Sequence, residues 1–298
     1  MENKRFDIQK ADVVIIGAGV IGCSIAYYLG KRGITDVVLI EKEAFPGSGS
    51  TSRANGGIRA QFTTEANIRM SLLSMDLLDE MDEEMRSQSG YSKAGYLFVT
   101  ADPENLQQLE KNIAFQKNLG VSVDFVSKDE IEAKFPFVCC NDLLGGSFGS
   151  RDGFIDSGGL TNAFYSQALR MGARAFTNTA VSGLIRSSNA VHGVQIGEKE
   201  LRSDIVINAA GPFAAKVAAW ADVELPVTPY RRNIAVTGPT PDWPVKIPMT
   251  IDMDTGLVIR RESGGVSFAA VNPTDPEGFT ATFDPNFIEY VAPKIERR

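Results

Sequence analysis

The chain has 298 residues, carries 30 Lys+Arg against 37 Asp+Glu for a net charge of −7, and is 43% hydrophobic. That length holds one large domain or two interlocked ones. The negative balance without a basic stripe excludes a nucleic-acid partner, and no apolar run reaches the ~18 residues of a membrane span. Three cysteines rule out a disulfide scaffold and make a reducing cytoplasm the expected location. The single histidine, His192, cannot form a histidine metal cluster, and it would have to carry any histidine-based nucleophile alone. Its setting, Ala190 to Ile196, reads as a surface strand.

Asp12 to Ile16 is a β-branched run, expected as a buried parallel strand. Gly17-Ala-Gly-Val-Ile-Gly22 follows, then a helix to about Arg32 stopped by Gly33, then a second buried strand, Asp36 to Ile40, ending at Glu41. Together they make a βαβ unit. Pro46 to Gly57 is a Gly/Ser/Thr loop. From about Thr64 to Arg86, Ile68, Leu72, Met75, Leu78, Met81 and Met85 recur at helical spacing and form one apolar stripe. Tyr96 to Thr100 is a strand, and Asp102 with Pro103 starts a helix that buries Leu106, Leu109 and Ile113.

Further on, Phe148 to Phe154 reads as extended and Leu160 to Met171 as a helix. From Ala173 the chain reads as a meander, with strands near 174–178, 180–186, 190–196 and 200–203. Asp204 to Ala210 is expected as a buried strand running into Gly211 and Pro212. Prolines from Pro226 to Pro248 then punctuate short extended pieces. A hairpin is expected from Leu257 to Arg261 and Val266 to Val271, and a last helix from about Pro285 to Arg297.

The Gly17–Gly22 segment is G-x-G-x-x-G in its required context of strand, glycines, helix, strand and acid. Gly17 permits the tight turn, Gly19 lets backbone N–H groups approach a pyrophosphate, and Gly22 lets the helix pack on the strand. The helix N-terminus favours the diphosphate. Glu41, about 20 residues past the last glycine, is placed to bind a ribose 2′-OH and would repel a 2′-phosphate. This fingerprint does not separate NAD from FAD. The hydroxyl- and glycine-rich loop just past the acid suits a dinucleotide lying extended across the domain.

Gly17 to Gly22, Glu41-Lys42 and Gly47 to Arg59 resemble the N-terminal signature of the D-amino-acid-oxidase-like flavoproteins, nearest to the sarcosine oxidase β-subunit and dye-linked proline dehydrogenase branch. Ala173 to Leu184, Val206 to Pro212 and Glu224 to Arg232 are similar to later segments of that family. The resemblance implies an α/β fold: a Rossmann-like FAD-binding domain with a parallel sheet and β-meander over 1–88 and 147–225, and an interleaved α+β substrate domain over 89–146 and 226–298. It implies FAD as cofactor. Gly17, Gly19, Val20, Ile21 and Gly22 would meet the pyrophosphate, Glu41 and Lys42 the adenosine ribose, and Ser50, Thr51, Ser52, Gly56 and Gly57 the path to the flavin. Val181 would hold adenine through its main chain, and Ala210 and Gly211 would close on the dinucleotide. Arg59 would lie near the isoalloxazine, and Arg260, on the hairpin, would clamp a substrate carboxylate with its planar fork.

The implied reaction is oxidation of the C–N bond of a small amino acid or N-alkyl amino acid (sarcosine, glycine or proline-like) by hydride transfer to flavin N5. It needs no protein base and no metal. Two alternatives stay open at this point: a flavin dehydrogenase of a 2-hydroxy acid or polyol phosphate, and an FAD-binding subunit or fragment inactive without a partner. Family members look longer, so the C-terminal part is expected to be missing. The last helix would then expose Phe287, Val291 and Ile295, through which the chain would self-associate or dock a partner.

Overall fold

The computed structural model describes residues 8–85 and 89–298; the side chain of Met85 lies outside the described residues. In chain order the first elements are β1 (Val13–Ile16), α1 (Val20–Lys31), β2 (Val37–Ile40), β3 (Gly57–Ile58), α2 (Glu65–Met85), β4 (Tyr96–Thr100) and α3 (Pro103–Asn118). Next come β5 (Val123–Ser127), α4 (Lys128–Lys134), β6 (Gly145–Gly149), β7 (Gly153–Phe154), α5 (Ser157–Arg170) and β8 (Arg174–Phe176). The meander strands β9 (Gly183–Arg186), β10 (Val191–Ile196) and β11 (Lys199–Arg202) lead to β12 (Ile205–Asn208) and α6 (Ala214–Ala219). The last elements are β13 (Ile234–Val236), β14 (Met249–Asp252), β15 (Val258–Glu262), β16 (Gly265–Ala269) and α7 (Asn286–Arg297).

The chain divides into two compact units: Met1–Asn55, Met81–Gly90 and Asp156–Pro229 in the first, and Gly56–Glu80, Tyr91–Ile155 and Tyr230–Arg298 in the second. These boundaries differ from the expected ones at residues 56–80, 89–90, 147–155 and 226–229. The reason is packing: Ile68 and Met75 of α2 are buried against Leu109, Ile113, Val121 and Val123, so the apolar stripe of α2 finds its cover in the second unit.

The first unit is built on a parallel sheet of order β12-β1-β2-β8. Its β-branched strands bury Val14, Ile16, Val38 and Ile40 in one cluster with Val194, Leu201 and Val217. β8, expected as part of the meander, pairs in parallel with β2 instead, Ala175 beside Leu39; the antiparallel meander is β11-β10-β9. β12, expected to be buried, is the sheet's edge strand, and its Ile205 is 55% exposed. Only its β1 side is paired, with Val206 beside Val14.

The second unit holds a seven-stranded sheet of order β13-β16-β15-β14-β4-β6-β5, with β14 and β4 parallel. Asp102 caps α3 as expected, accepting from the N–H groups of Glu104 and Asn105. β5 and α4 were not anticipated, although Ser127 and Glu130 form a capping box readable from the Ser-x-x-Glu spacing. The C-terminal helix corrects another expectation. Phe287 and Val291 of α7 are 2% and 1% exposed, packed with Ile259, Val266 and Phe268 of the hairpin, and Ile295 packs partly buried beside them. That stripe is covered by the unit's own sheet and is not an open docking surface.

Candidate active site

Within the first unit, the end of β1 turns at Gly17, whose N–H donates to the Ile40 carbonyl at 2.8 Å. Gly17 has φ +102°, and a Cβ there would sit 2.5 Å from the Ala209 carbonyl oxygen, so the end of β12 closes directly on the turn. At Gly22 a Cβ would fall 1.9 Å from the Gly17 carbonyl oxygen, which brings α1 against the turn with no room for a side chain. Gly19 is the N-cap of α1 and brings no side chain of its own to the helix's first N–H groups. The first-turn residue Ile21 is 61% exposed. A helix N-terminus without an N-cap side chain, approached by Cβ-free backbone, is the form of an anion cradle.

Glu41 stands at the end of β2. Its Oε2 accepts from the Ala18 N–H at 2.8 Å and its Oε1 from the Glu43 N–H at 2.9 Å. A carboxylate has about four lone-pair sites, so capacity remains for two ribose hydroxyls. The neighbouring Cys23 thiol is pushed up to about 12 by burial and by the Glu41 charge, which makes it inert. Lys42 lies over the Phe213 ring at 3.9 Å and pairs with Glu43 at 3.3 Å.

The hydroxyl-rich loop returns to the same cradle. Gly47 donates to the Ala18 carbonyl at 2.9 Å, Ser50 precedes a single 3-10 turn, Thr51–Arg53, and Thr51 Oγ1 accepts from the Val20 N–H at 3.2 Å. Ser52 closes the turn by donating from its N–H to Gly47. Ala210 lies 3.3 Å from where a Gly17 Cβ would be, and Gly211, with φ +53°, starts the next turn. Val181 is in the link between β8 and β9 and packs partly buried on the core, while nearby Thr179 donates to the Glu41 carbonyl at 2.8 Å. The predicted pyrophosphate and ribose residues are thus brought together. His192 is on β10, with Nε2 3.0 Å from the Ser187 hydroxyl.

Gly56, Gly57, Arg59 and Arg260 belong to the second unit. A Cβ on Gly57 would sit 2.6 Å from the Tyr96 hydroxyl. The Arg59 guanidinium lies 4.7 Å from the Phe62 ring centroid, 5.4 Å from Phe98 and 5.7 Å from Tyr96. Burial raises the Tyr96 phenol above its usual range, and the charge of Arg59 partly offsets this. Among the described residues Arg59 makes no ion pair. Arg260, its side chain 11% exposed, stacks over Phe154 at 5.1 Å; its fork pairs with Glu262 and the Arg261 carbonyl, and its Nε has no partner among the described residues. The aromatic surround of Arg59 was missed at the sequence level. Only the period-two placement of Tyr96 and Phe98 on one face of β4 hinted at it.

Asp152, 2% exposed, accepts from the Ala60 N–H and from Gln61. Burial pushes its carboxyl from 3.8 up to about 6. Between those values the folded protein binds the proton more tightly than the unfolded chain, so this group favours the folded state increasingly as pH falls through about 6, by up to about 3 kcal/mol. In urea melts, wild type should therefore gain stability relative to Asp152→Asn between about pH 7 and pH 4. A pH-independent difference would contradict the assignment of the titrating group.

A parallel sheet whose first strand ends in a turn with no room for Cβ atoms, followed by a helix N-terminus and by a carboxylate at the end of the next strand, is the architecture of a dinucleotide-binding fold. The chain belongs to the FAD dependent oxidoreductase (DAO) family, whose model matches residues 12–298. It is 31% identical over 311 residues to FAD-dependent oxidoreductase domain-containing protein 1 of Xenopus laevis, covering 90% of this chain and 62% of that protein. It is 27% identical over 264 residues to mitochondrial dimethylglycine dehydrogenase of Homo sapiens, covering 87% of this chain and 30% of that protein. The chain therefore spans less than two thirds of the length of these relatives. Among solved structures it resembles L-proline dehydrogenase from P. horikoshii, with TM-score 0.88 and 31% identity over 96% of this chain and 76% of that one. FAD is the family's cofactor, and the Glu41 lone pairs and the open cradle of Gly17, Gly19 and Gly22 fit it. No helix among the described residues is long and apolar enough to cross a membrane.

Proposed function

We propose that the protein oxidises the C–N bond of a small amino acid or N-alkyl amino acid of the sarcosine, glycine or proline type. On this reading the first unit is the FAD-binding domain and the second the substrate domain. The observation that carries the proposal is Arg59: a guanidinium held on the faces of Phe62, Phe98 and Tyr96 and without an ion pair among the described residues. Such a group has a planar fork to offer a carboxylate. The names of similar proteins, dimethylglycine dehydrogenase and L-proline dehydrogenase, support the same substrate class.

Arg59 binds and orients the carboxylate, with Arg260 as the second cation once its fork releases Glu262. Phe62, Phe98 and Phe154 exclude water around the two guanidiniums and so strengthen the ion pair. The bound flavin supplies the hydride acceptor, and the protein contributes orientation and electrostatics. No protein base is required, in keeping with a lone His192 on a meander strand. A cytoplasmic setting belongs to this reading, supported by three free cysteines. So does contact with another chain, supported by the exposed Val236, Val245 and Ile288 of the second unit.

The test is anaerobic titration of the FAD-loaded protein with sarcosine, glycine and L-proline, against lactate and glycerol 3-phosphate. An amino acid should bleach the flavin's visible absorbance. Bleaching by the hydroxy compounds alone would overturn the proposal.

A further inference from the structure

A small buried polar network fixes the segment that carries Arg59. The Ala60 N–H donates to Asp152 Oδ1 at 3.0 Å, and Gln61 Nε2 donates both to Asp152 Oδ2 at 2.9 Å and to the Tyr96 carbonyl at 3.1 Å. The Ser147 hydroxyl donates to Gln61 Oε1 at 2.6 Å, and the Gly95 N–H donates to the Asp152 carbonyl at 2.9 Å. Gln61, Ser147 and Asp152 are 7%, 3% and 2% exposed. Gly149 of β6 leaves the space for them, because a Cβ there would lie 2.4 Å from Asp152 Oδ2. Both carboxylate oxygens of Asp152 thus hold donors, one on the residue next to Arg59 and one that also grips the strand of Tyr96.

A buried carboxylate is costly, and apolar packing of similar volume would commonly be at least as stable. Here it does what an apolar group cannot: it ties residues 60–61 and the start of β4 into one rigid piece. Arg59 and Tyr96, the guanidinium 5.7 Å from the ring centroid, are the side chains projected from that piece.

We propose that Asp152 is a positioning residue: through Ala60 and Gln61 it holds the Arg59 guanidinium against Tyr96 in the orientation that receives a substrate carboxylate. This rests on the reading of Arg59 as the carboxylate's partner. Asp152→Asn keeps the shape but sets an amide against the amide of Gln61, or else loses the acceptor for Ala60, so the segment is released.

The experiment is a double-mutant cycle on the FAD-loaded full-length protein. It reads the dissociation constant of acetate from the flavin's visible spectrum, with a small neutral-tailed amine as a second probe. Asp152→Asn should weaken acetate about tenfold and leave the amine unchanged, Arg59→Lys should weaken acetate more, and the double variant should lose no more than Arg59→Lys alone. Additive losses, unchanged acetate binding in Asp152→Asn, or equal weakening of both probes would overturn the positioning role while leaving Arg59 in place. Unchanged acetate binding in Arg59→Lys would overturn the Arg59 reading, and the proposal with it. Should Asp152→Asn yield no folded holoprotein, Gln61→Met cuts the same clamp without removing a charge and must show the same non-additivity.

Discussion

A Gly22→Ala protein should be recovered without FAD. The added methyl would have to occupy a point 1.9 Å from the Gly17 carbonyl oxygen, and the obstacle is backbone on a turn packed from the other side by the segment after β12, where a Cβ on Gly17 would lie 2.5 Å from the Ala209 carbonyl oxygen. Neither side can yield alone, so α1 must move outward, and its N-terminus moves with it. Overpacking of this kind costs typically ~1–3 kcal/mol in stability, but the larger effect falls on the cofactor, because every backbone donor of the cradle is displaced together. Glu41→Ala provides a graded comparison. It removes the ribose acceptors and leaves the Ala18 and Glu43 N–H groups to water, and a charge-assisted hydrogen bond contributes about 1.5–3 kcal/mol, so FAD should bind roughly 10- to 150-fold more weakly. The ratio of flavin to protein absorbance after gel filtration decides both. Retention of stoichiometric FAD by Gly22→Ala would mean that the cradle does not hold the pyrophosphate.

Arg59→Ala should weaken carboxylate binding by about 10²-fold, the few kcal/mol expected when a bidentate partner is removed in a dry pocket. Arg59→Lys should recover little, since an ammonium reproduces neither the fork nor the stacking on Phe62 and Phe98. Arg260→Ala makes a useful contrast. Its fork already holds Glu262, so the direct loss of affinity should be smaller, while the half-buried Glu262 left behind should lower thermal stability. Acetate titration of the three holoproteins, with melting curves alongside, separates these effects. If Arg260→Ala loses the greater affinity, Arg260 is the principal clamp and Arg59 the accessory.

What could be read along the chain was whatever contiguous residues decide. The Gly17–Gly22 turn, the helix behind it, the strand ending at Glu41 and the Asp102–Pro103 start of α3 all follow from local stereochemistry: backbone angles open to glycine, unsatisfied helix N–H groups, β-branched runs. The capping box at Ser127 and Glu130 belongs to the same class and was equally readable. Partner choice was different. β8 reads as a meander strand and pairs with β2; β12 reads as buried and forms an edge; the stripe on α7 reads as open and lies under its own sheet. An apolar residue records that it prefers to leave water, not which surface will cover it. The surround of Arg59 shows this most clearly, since Tyr96 and Phe98 of β4 and the Asp152 clamp come from segments far along the chain from Arg59 and Phe62, and only tertiary packing sets them around one guanidinium.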